Sequence, residues 1–132
     1  DLGVKVKAVG GRMMLLPVSG AFHSPFMDQA AHQFGEYLDT KNILDPTIPV
    51  YANISAEPYR NTKQTLQQQM NAPVRWKESI EKMVAVGVTH IIEVGPGTAL
   101  SSMIRRISSN IRISNVDNAA ALAKTLQGVV LV

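Results

Sequence analysis

Short apolar runs alternate with amphipathic helical patterns along this chain, and this alternation limits its fold more than any other feature. The clearest run is residues 90–94 (HIIEV), which a Gly-Pro-Gly turn at 95–97 joins to a helical pattern over 98–107. Similar runs predict strands at 12–18, 48–54 and 111–116. Continuous apolar strands separated by helices favour a parallel sheet covered on both faces, so the sequence predicts an α/β fold.

Helices are predicted between these strands from the spacing of apolar residues, at 25–39, 62–70, 76–86, 98–107 and 118–126. Ser24 is a suitable N-cap before Pro25, Asn61 or Thr62 suits the start of the second helix, and Gly87 suits a C-cap. Residues 57–62 are expected to form a turn. Residues 1–4 are interpreted as the tail of a helix with its glycine cap, so we expect the chain to begin partway through a larger protein.

Composition narrows the class of protein further. Of the 132 residues, 45% are apolar and 17% are charged, which is typical of one globular domain. The absence of cysteine excludes disulfides, thiolate metal ligands and a cysteine nucleophile. No apolar stretch reaches membrane-spanning length, and no signal-peptide pattern opens the sequence, so we expect a cytoplasmic location and no membrane partner.

The charge of this chain is mildly basic, with a formal net charge of +3. The basic residues are scattered, and no run resembles a nucleic-acid-binding arm, so we expect no nucleic-acid partner. One interpretation is a solvated surface. The other is a partner that carries negative charge and is met by long-range steering.

His23 is the leading candidate for chemistry because it lies at a predicted junction between a strand and a helix. An imidazole changes charge near neutral pH, and the partly positive start of a helix favours its neutral, proton-accepting form. The alternative is a packed or surface histidine. No Gly-x-Ser-x-Gly motif supplies a nucleophile for such a base, and Ser24 is a better cap than nucleophile. His32 falls on the polar face of its helix and is expected to be solvated.

Two further segments have features of a site. The Gly-Pro-Gly turn at 95–97 presents backbone N–H groups at a helix start, but a tight structural turn is favoured over an anion site. Glu93 lies inside an apolar strand, and we expect it to pair with Arg105 or Arg106. The three histidines are far apart and have no carboxylate at ligand spacing, so no metal site is expected.

Four segments are distinctive in their order and spacing: 17–24 (PVSGAFHS), 49–53 (PVYAN), 71–76 (NAPVRW) and 93–100 (EVGPGTAL). Together they resemble the malonyl-CoA:acyl carrier protein transacylases of bacterial fatty-acid synthesis. The resemblance is to the C-terminal part of those proteins. It implies that residues 1–18 are the end of a ferredoxin-like small subdomain, including its last strand. Residues 19–132 would form the C-terminal part of an α/β-hydrolase-like large subdomain.

The resemblance also implies a reaction. A serine attacks the malonyl thioester, and the malonyl-serine ester then passes its acyl group to the phosphopantetheine thiol of acyl carrier protein. His23 would be the catalytic base, with the main-chain carbonyl of Gln69 orienting its ring. Phe22 would limit α-branched acyl groups, and Asn53 would lie near the acyl pocket. No cofactor is implied beyond the substrates malonyl-CoA and phosphopantetheinylated carrier protein.

The nucleophilic serine, the arginine that pairs with the malonyl carboxylate and the oxyanion-hole residues are expected on a missing N-terminal part of the same enzyme. The chain alone is therefore expected to be inactive. Two alternatives remain open. One is the acyltransferase part of a polyketide synthase. The other is a non-catalytic fragment that docks the acidic carrier protein through basic residues at five candidate positions: Arg60, Lys63, Arg75, Lys77 or Arg105.

Overall fold

The computed structural model describes residues 1–15 and 17–128. These residues form six α-helices and four strands, and a short 3₁₀ helix, Pro25–Met27, precedes the second α-helix. The helices are α1 Leu2–Ala8, α2 Asp28–Asp39, α3 Thr62–Gln69, α4 Trp76–Ala85, α5 Ala99–Ile107 and α6 Ala119–Gln127. The strands are β1 Tyr51–Ala52, β2 Glu57–Pro58, β3 His90–Val94 and β4 Arg112–Val116.

The parallel pairing of β3 and β4 confirms the predicted α/β class. Ile91 is in register with Ile113, and Val94 with Val116. Helix α5 connects the two strands, as a parallel crossover requires. The prediction that both faces of the sheet are covered is only partly right within the described residues, because Ile92 and Val94 of β3 remain 39% and 79% exposed.

The core lies between β3, β4 and the helices α4 and α5. Ile80, Ile104 and Ile111 are buried, and Trp76 and Met83 pack against them with Val84, Ile91, Ile107 and Ile113. Each fully buried aliphatic side chain contributes about 1.5–3 kcal/mol relative to an exposed one. This cluster stabilises the half of the chain after residue 75, and the candidate site lies outside it.

Most of the predicted helices are confirmed, and their caps show why. The Asn61 side chain accepts a hydrogen bond from the Gln64 N–H at 3.2 Å, which satisfies a free donor at the start of α3. Gly87 adopts φ +96° just after α4, as a glycine cap does. Ser24 occupies the predicted N-cap position before Pro25, but its side chain forms no capping hydrogen bond: the hydroxyl donates to the Ala21 carbonyl oxygen at 2.6 Å.

The interpretation of residues 1–4 as the tail of a helix is wrong. The helix begins there instead, because the Asp1 carboxylate accepts the Gly3 N–H at 2.8 Å and acts as an N-cap. The turn at 9–11 follows this helix, and Gly10 adopts φ +75° in it. The prediction failed because a glycine two residues after an aspartate was interpreted as a C-terminal signal when the aspartate is itself a good N-cap.

Two predicted strands are not found as predicted. Residues 12–15 and 17–18 have irregular backbone, and Leu16 lies outside the described residues. Within 48–54, only β1 pairs, and it pairs antiparallel with β2 in a hairpin rather than joining the parallel sheet. Ala56, at φ +56°, closes this hairpin by donating its N–H to the Ala52 carbonyl at 2.8 Å.

The proposed division into subdomains at 1–18 and 19–132 stays a prediction, and residues 129–132 lie outside the described part.

The chain exposes far more surface than a compact monomer of its mass. Its accessible area is 10154 Å² at 14.3 kDa, whereas a compact monomer of this mass exposes about 6,800 Å². Leu2, Met14, Leu15, Phe26 and Val94 are each at least 70% exposed. A large apolar surface is thus uncovered in the described part of the molecule. None of the described helices is long and apolar enough to cross a lipid bilayer.

Candidate active site

His23 adopts a left-handed backbone conformation, with φ +59°. It lies between the irregular segment that ends at Phe22 and the 3₁₀ helix that leads into α2. A left-handed conformation costs a residue with a Cβ atom about 1–2 kcal/mol. Such backbone strain is concentrated at functional sites, where the surrounding structure holds it in place. The backbone at this residue is consistent with a site rather than a passive loop.

Two consecutive main-chain carbonyls at the end of α3 hold His23. The ring Nδ1 lies 2.9 Å from the Gln69 carbonyl oxygen, although the two residues are 46 positions apart in the sequence. The His23 backbone N–H donates to the Met70 carbonyl oxygen at 3.2 Å. Carbonyls in the last turn of a helix lack partners within the helix, so the end of α3 offers acceptors at this point.

The contact with Gln69 defines the hydrogen position on the ring. A carbonyl oxygen only accepts hydrogen bonds, so the Nδ1 atom that contacts it must carry the hydrogen. In a neutral imidazole, Nε2 then has the free lone pair. Residue His23 is exposed, so this lone pair is accessible to a hydroxyl from another segment. The arrangement can accept a proton at Nε2 while the ring is held at Nδ1.

The packing of α2 against α3 brings these groups together. His23 precedes α2, and Gln69 is the last residue of α3. Gly35 is buried in α2 and lies against the side-chain amide of Gln67 in α3. Ala31 and Leu38 are buried on the same helix. The separation of the two helices therefore sets the position of the Gln69 carbonyl relative to the ring.

Phe22 and Asn53 occupy different environments. Phe22 is next to His23 in the chain and is 55% exposed. Asn53 is half-buried, and its main-chain carbonyl accepts the Arg75 N–H at 2.8 Å. Among the described residues, no hydrogen bond joins Asn53 to His23. The structure thus brings Gln69 to His23 and places Phe22 beside them.

The prediction that Glu93 pairs with Arg105 or Arg106 is wrong. Its carboxylate accepts the Ser101 N–H at 2.8 Å and the Leu100 N–H at 3.1 Å, at the start of α5, and the Asn115 side-chain amide at 2.8 Å. Hydrogen bonding from Ser101, together with that from Leu100 and Asn115, holds the pKa of Glu93 below its ordinary value. The amides are nearer than the arginines because β3 runs directly into the N-terminus of α5.

The turn at 95–97 is structural, as favoured from the sequence. Gly95 and Gly97 adopt φ +138° and +87°, where residues with a Cβ atom are strained. Two N–H groups of the following helical turn, those of Leu100 and Ser101, are already occupied by the Glu93 carboxylate. Sequence reasoning missed this internal cap. Its signal was an acidic residue two positions before the turn that opens a helix.

The other two histidines have structural surroundings. His32 is exposed on α2, with Nδ1 3.7 Å from the Glu36 carboxylate, as expected for a solvated residue. Nε2 of His90 lies 2.9 Å from the Ser114 hydroxyl across the parallel sheet. Across the ranges 1–15 and 17–128, no group of three or more His, Asp or Glu side chains is placed to hold a metal ion.

The five basic residues considered for docking differ in their partners. Arg75 donates two hydrogen bonds to Glu78, and Lys77 lies 3.5 Å from Glu81. The amine of Lys63 is 3.5 Å from the Asp39 carbonyl oxygen. Arg60 and Arg105 form no ion pair with any residue that the structure describes. These two arginines are the most available for a negatively charged partner.

Comparison with known proteins supports the resemblance, although no family model matches the chain. It is 37% identical over 119 residues to the malonyl CoA-acyl carrier protein transacylase of Bacillus subtilis (strain 168), covering 88% of this chain and 38% of that protein. It is 43% identical over 101 residues to the polyketide biosynthesis malonyl CoA-acyl carrier protein transacylase PksC of the same strain, covering 74% of this chain and 35% of PksC.

The same family is found by structure. The malonyl CoA-acyl carrier protein transacylase of Clostridium perfringens superposes with a TM-score of 0.88 and 36% identity, covering 96% of this chain and 41% of that one. The chain thus spans about two fifths of the length of the relatives it matches. Over that span, by sequence and by fold, it belongs to the family of malonyl-CoA:acyl carrier protein transacylases.

Proposed function

We propose that this chain is the histidine-bearing part of an enzyme that transfers malonyl groups from malonyl-CoA to acyl carrier protein in fatty-acid biosynthesis. The observation that carries the proposal is the His23 ring, held at Nδ1 by the Gln69 carbonyl and open at Nε2. The names of the relatives support the substrate and the carrier. The enzyme is proposed to act in the cytoplasm and to need no cofactor beyond its two substrates.

In the first step, a serine hydroxyl attacks the thioester carbonyl of malonyl-CoA. His23 Nε2 accepts the hydroxyl proton as the serine oxygen forms its bond to the carbonyl carbon. The carbon–sulfur bond then breaks, and the imidazolium returns the proton to the departing CoA thiolate. The products are a malonyl-serine ester and free CoA thiol. In the second step, the phosphopantetheine thiol of the carrier protein gives its proton to Nε2 as its sulfur forms a bond to the ester carbonyl carbon. The bond from that carbon to the serine oxygen then breaks, and the imidazolium returns the proton to the serine oxygen.

The Gln69 carbonyl contributes in both steps. It keeps the ring hydrogen at Nδ1, so that Nε2 is the basic atom, and its dipole stabilises the imidazolium that forms transiently. A neutral carbonyl does this without adding a second charge to the site. The nucleophilic serine, the arginine for the malonyl carboxylate and the oxyanion-hole donors are proposed to lie on polypeptide outside these 132 residues. On that basis, the 132 residues alone have no transacylase activity.

Phe22 is proposed to set the acyl specificity, and Asn53 to border the acyl pocket. A ring next to the catalytic histidine leaves little space for a methyl branch on the malonyl α-carbon. Differences of one methylene in a pocket are worth about 1–3 kcal/mol, so this selectivity is graded rather than absolute. The exposure of Phe22 is consistent with contact with a ligand rather than with the core.

The test uses the complete gene product that contains these residues, with malonyl-CoA and phosphopantetheinylated carrier protein. Mass spectrometry would follow malonyl-carrier protein and the malonyl-serine ester. His23→Asn is the preferred variant because asparagine tolerates the left-handed backbone better than alanine. It should slow transfer by about 10²–10⁴-fold. His32→Asn, the same change on an exposed histidine of α2, is the matched control and should leave the rate unchanged.

Transfer at the wild-type rate by the His23→Asn variant would contradict the proposal.

A polyketide role is the second candidate, and the 43% identity to PksC favours it. Assaying carrier proteins from both pathways separates the two, since the physiological carrier should give the higher kcat/KM. A protein that binds carrier protein but never forms the malonyl-serine ester would instead fit the non-catalytic docking alternative.

A further inference from the structure

A second hydrogen bond lies close to the one that orients His23. The Asn71 side-chain amide donates to the Asp28 carboxylate at 2.7 Å. Asn71 follows Gln69 and Met70 directly, and Asp28 is the first residue of α2, just after the His23 loop. We propose that Asp28 and Asn71 are a positioning pair for His23. This inference rests on the proposed function, in which the ring is the base.

The pair acts on the ring because short, internally bonded segments connect the two hydrogen bonds. Between His23 and Asp28, the Met27 N–H donates to the Ser24 carbonyl at 3.0 Å. The Ser24 hydroxyl in turn donates to the Ala21 carbonyl on the other side of the histidine. In the facing segment, at the C-terminal end of α3, only Met70 separates Gln69 from Asn71. A displacement of Asn71 from Asp28 would therefore move the Gln69 carbonyl relative to Nδ1.

The charge at Asp28 makes this connection stronger than an ordinary amide contact. A carboxylate at the first turn of a helix is stabilised by the positive end of the helix dipole. A hydrogen bond to an ionised acceptor is also shorter and stronger than one between neutral groups. Because the acceptor belongs to α2 and the donor follows α3, the bond joins the two segments that carry the base and its orienting carbonyl.

The pair lies at the surface and not in the core, so its loss can be separated from unfolding. Asp28 is exposed and Asn71 is half-buried. The buried cluster of Ile80, Ile104 and Ile111 lies between α4, α5 and the parallel strands, and it does not include either residue. Removing the amide should alter the geometry of the site while the rest of the fold is retained.

The test uses the complete gene product with the Asn71→Ala and Asp28→Ala variants. The exchanged pair, Asp28→Asn with Asn71→Asp, restores a donor and an acceptor with their positions reversed. The first readout is the ¹⁵N chemical shift of the His23 ring nitrogens, which reports which nitrogen carries the hydrogen. The second is the separate measurement of kcat and KM for malonyl transfer. Thr62→Val is the control, since it removes a 2.6 Å hydrogen bond to the Asp45 carboxylate at the other end of α3.

Each single variant should reduce the population with hydrogen on Nδ1 and lower kcat by about 10-fold, with KM for malonyl-CoA changed by less than about 2-fold. The exchanged pair should recover kcat to within about 3-fold of wild type. Thr62→Val should leave the ring signals unchanged. Unchanged ring signals and kcat in both alanine variants would overturn the proposal, as would an exchanged pair that stays impaired or a Thr62→Val variant with the same loss.

The ring signals also distinguish this proposal from the proposed function. If the wild-type protein transfers no malonyl group but Asn71→Ala still shifts the ring hydrogen, the positioning pair stands and the assigned reaction does not. If wild type is active and His23→Asn is inactive while the pair variants behave as wild type, the reaction stands and the positioning pair does not.

Discussion

Gly35 in α2 lies directly against the side-chain amide of Gln67 in α3. A Cβ atom on residue 35 would occupy the space that this amide now fills. The glycine thus permits a close approach of α2, which follows His23, and α3, which ends at Gln69. The group that would be displaced is the end of a flexible side chain and not backbone, so movement of the Gln67 amide could make room for a Cβ atom.

Gly35→Ala therefore has two opposing effects on stability. Alanine within a helix is favoured over glycine by about 1 kcal/mol, but here its methyl group must displace the Gln67 amide. In a Gln67→Ala background, the free energy of unfolding should rise by about 1 kcal/mol on adding Gly35→Ala. In the wild-type background, it should rise less or fall. Urea unfolding of the four proteins measures the difference, and equal effects in both backgrounds would contradict it.

Phe22→Ser should relax the preference for malonyl over methylmalonyl groups. Removing the ring opens space beside His23 for an α-methyl branch. The ratio of kcat/KM values for the two acyl-CoA substrates should fall by about 10-fold or more. Phe26→Ser is the matched control, because Phe26 is 89% exposed in the 3₁₀ helix that follows and lies further from the histidine in the chain. A ratio that falls equally in both variants would contradict a specific role for Phe22.

Glu93 should make stability depend on pH in the acidic range. Hydrogen bonds from Ser101, Leu100 and Asn115 hold its pKa below the ordinary value of 4.5. A lowered pKa in the folded state stabilises the fold above the ordinary pKa, and this contribution is lost as the pH falls through the folded-state pKa. The free energy of unfolding should thus decrease as the solution is acidified from about pH 5 downward.

Urea midpoints measured across this range test the prediction with two variants. In Glu93→Gln, the midpoint should be lower than in wild type at neutral pH, and the difference should shrink as the solution is acidified. Glu81→Gln is the control, because the Glu81 carboxylate lies on the exposed side of α4, 3.5 Å from Lys77. A Glu93→Gln difference that is constant with pH would show that the charge of Glu93 is not what stabilises α5.

Transfer to carrier protein should depend on Arg60 and Arg105 at low salt. Neutralising either residue with glutamine should raise KM for the carrier protein several-fold, since exposed charges steer an acidic partner over long distances. The effect should vanish near 1 M salt, where charges are screened beyond about 3 Å. Lys77→Gln is the control, as Lys77 already pairs with Glu81. A KM for the carrier protein that does not respond to salt would argue against docking through these arginines.

The elements predicted best from the sequence are those with complete local signals. Helix α3 has its own cap in Asn61, and β3 is a short apolar run bounded by a glycine turn. The strand predicted at 48–54 formed only a two-residue hairpin ladder instead, because strand formation depends on a partner that the local sequence does not specify. Residues 12–15 and 17–18 likewise pair with no other strand among the described residues, and their backbone is irregular.

The contacts of the candidate site also differ in how much the local sequence could predict. His23 was recognised from its own position and neighbours, but the contact with Gln69 came from the family resemblance. No periodicity relates two residues 46 positions apart. Glu93 shows both kinds of contact: its cap on the Leu100 and Ser101 N–H groups is local, whereas Asn115 reaches it only through the pairing of β3 with β4. Contacts that depend on tertiary pairing of distant segments are the ones that a single sequence does not reveal.

The group that orients His23 is a peptide carbonyl, and this has a genetic consequence. Every codon for an amino acid supplies such a carbonyl, so no missense change at residue 69 deletes the acceptor. Codon 69 can drift during evolution while the orientation of the imidazole persists, provided that the path of the backbone is kept. A change at codon 69 would therefore act on the imidazole only through the path of the backbone, which the Gln69 side chain helps to fix by donating to the Ala72 carbonyl oxygen at 3.2 Å.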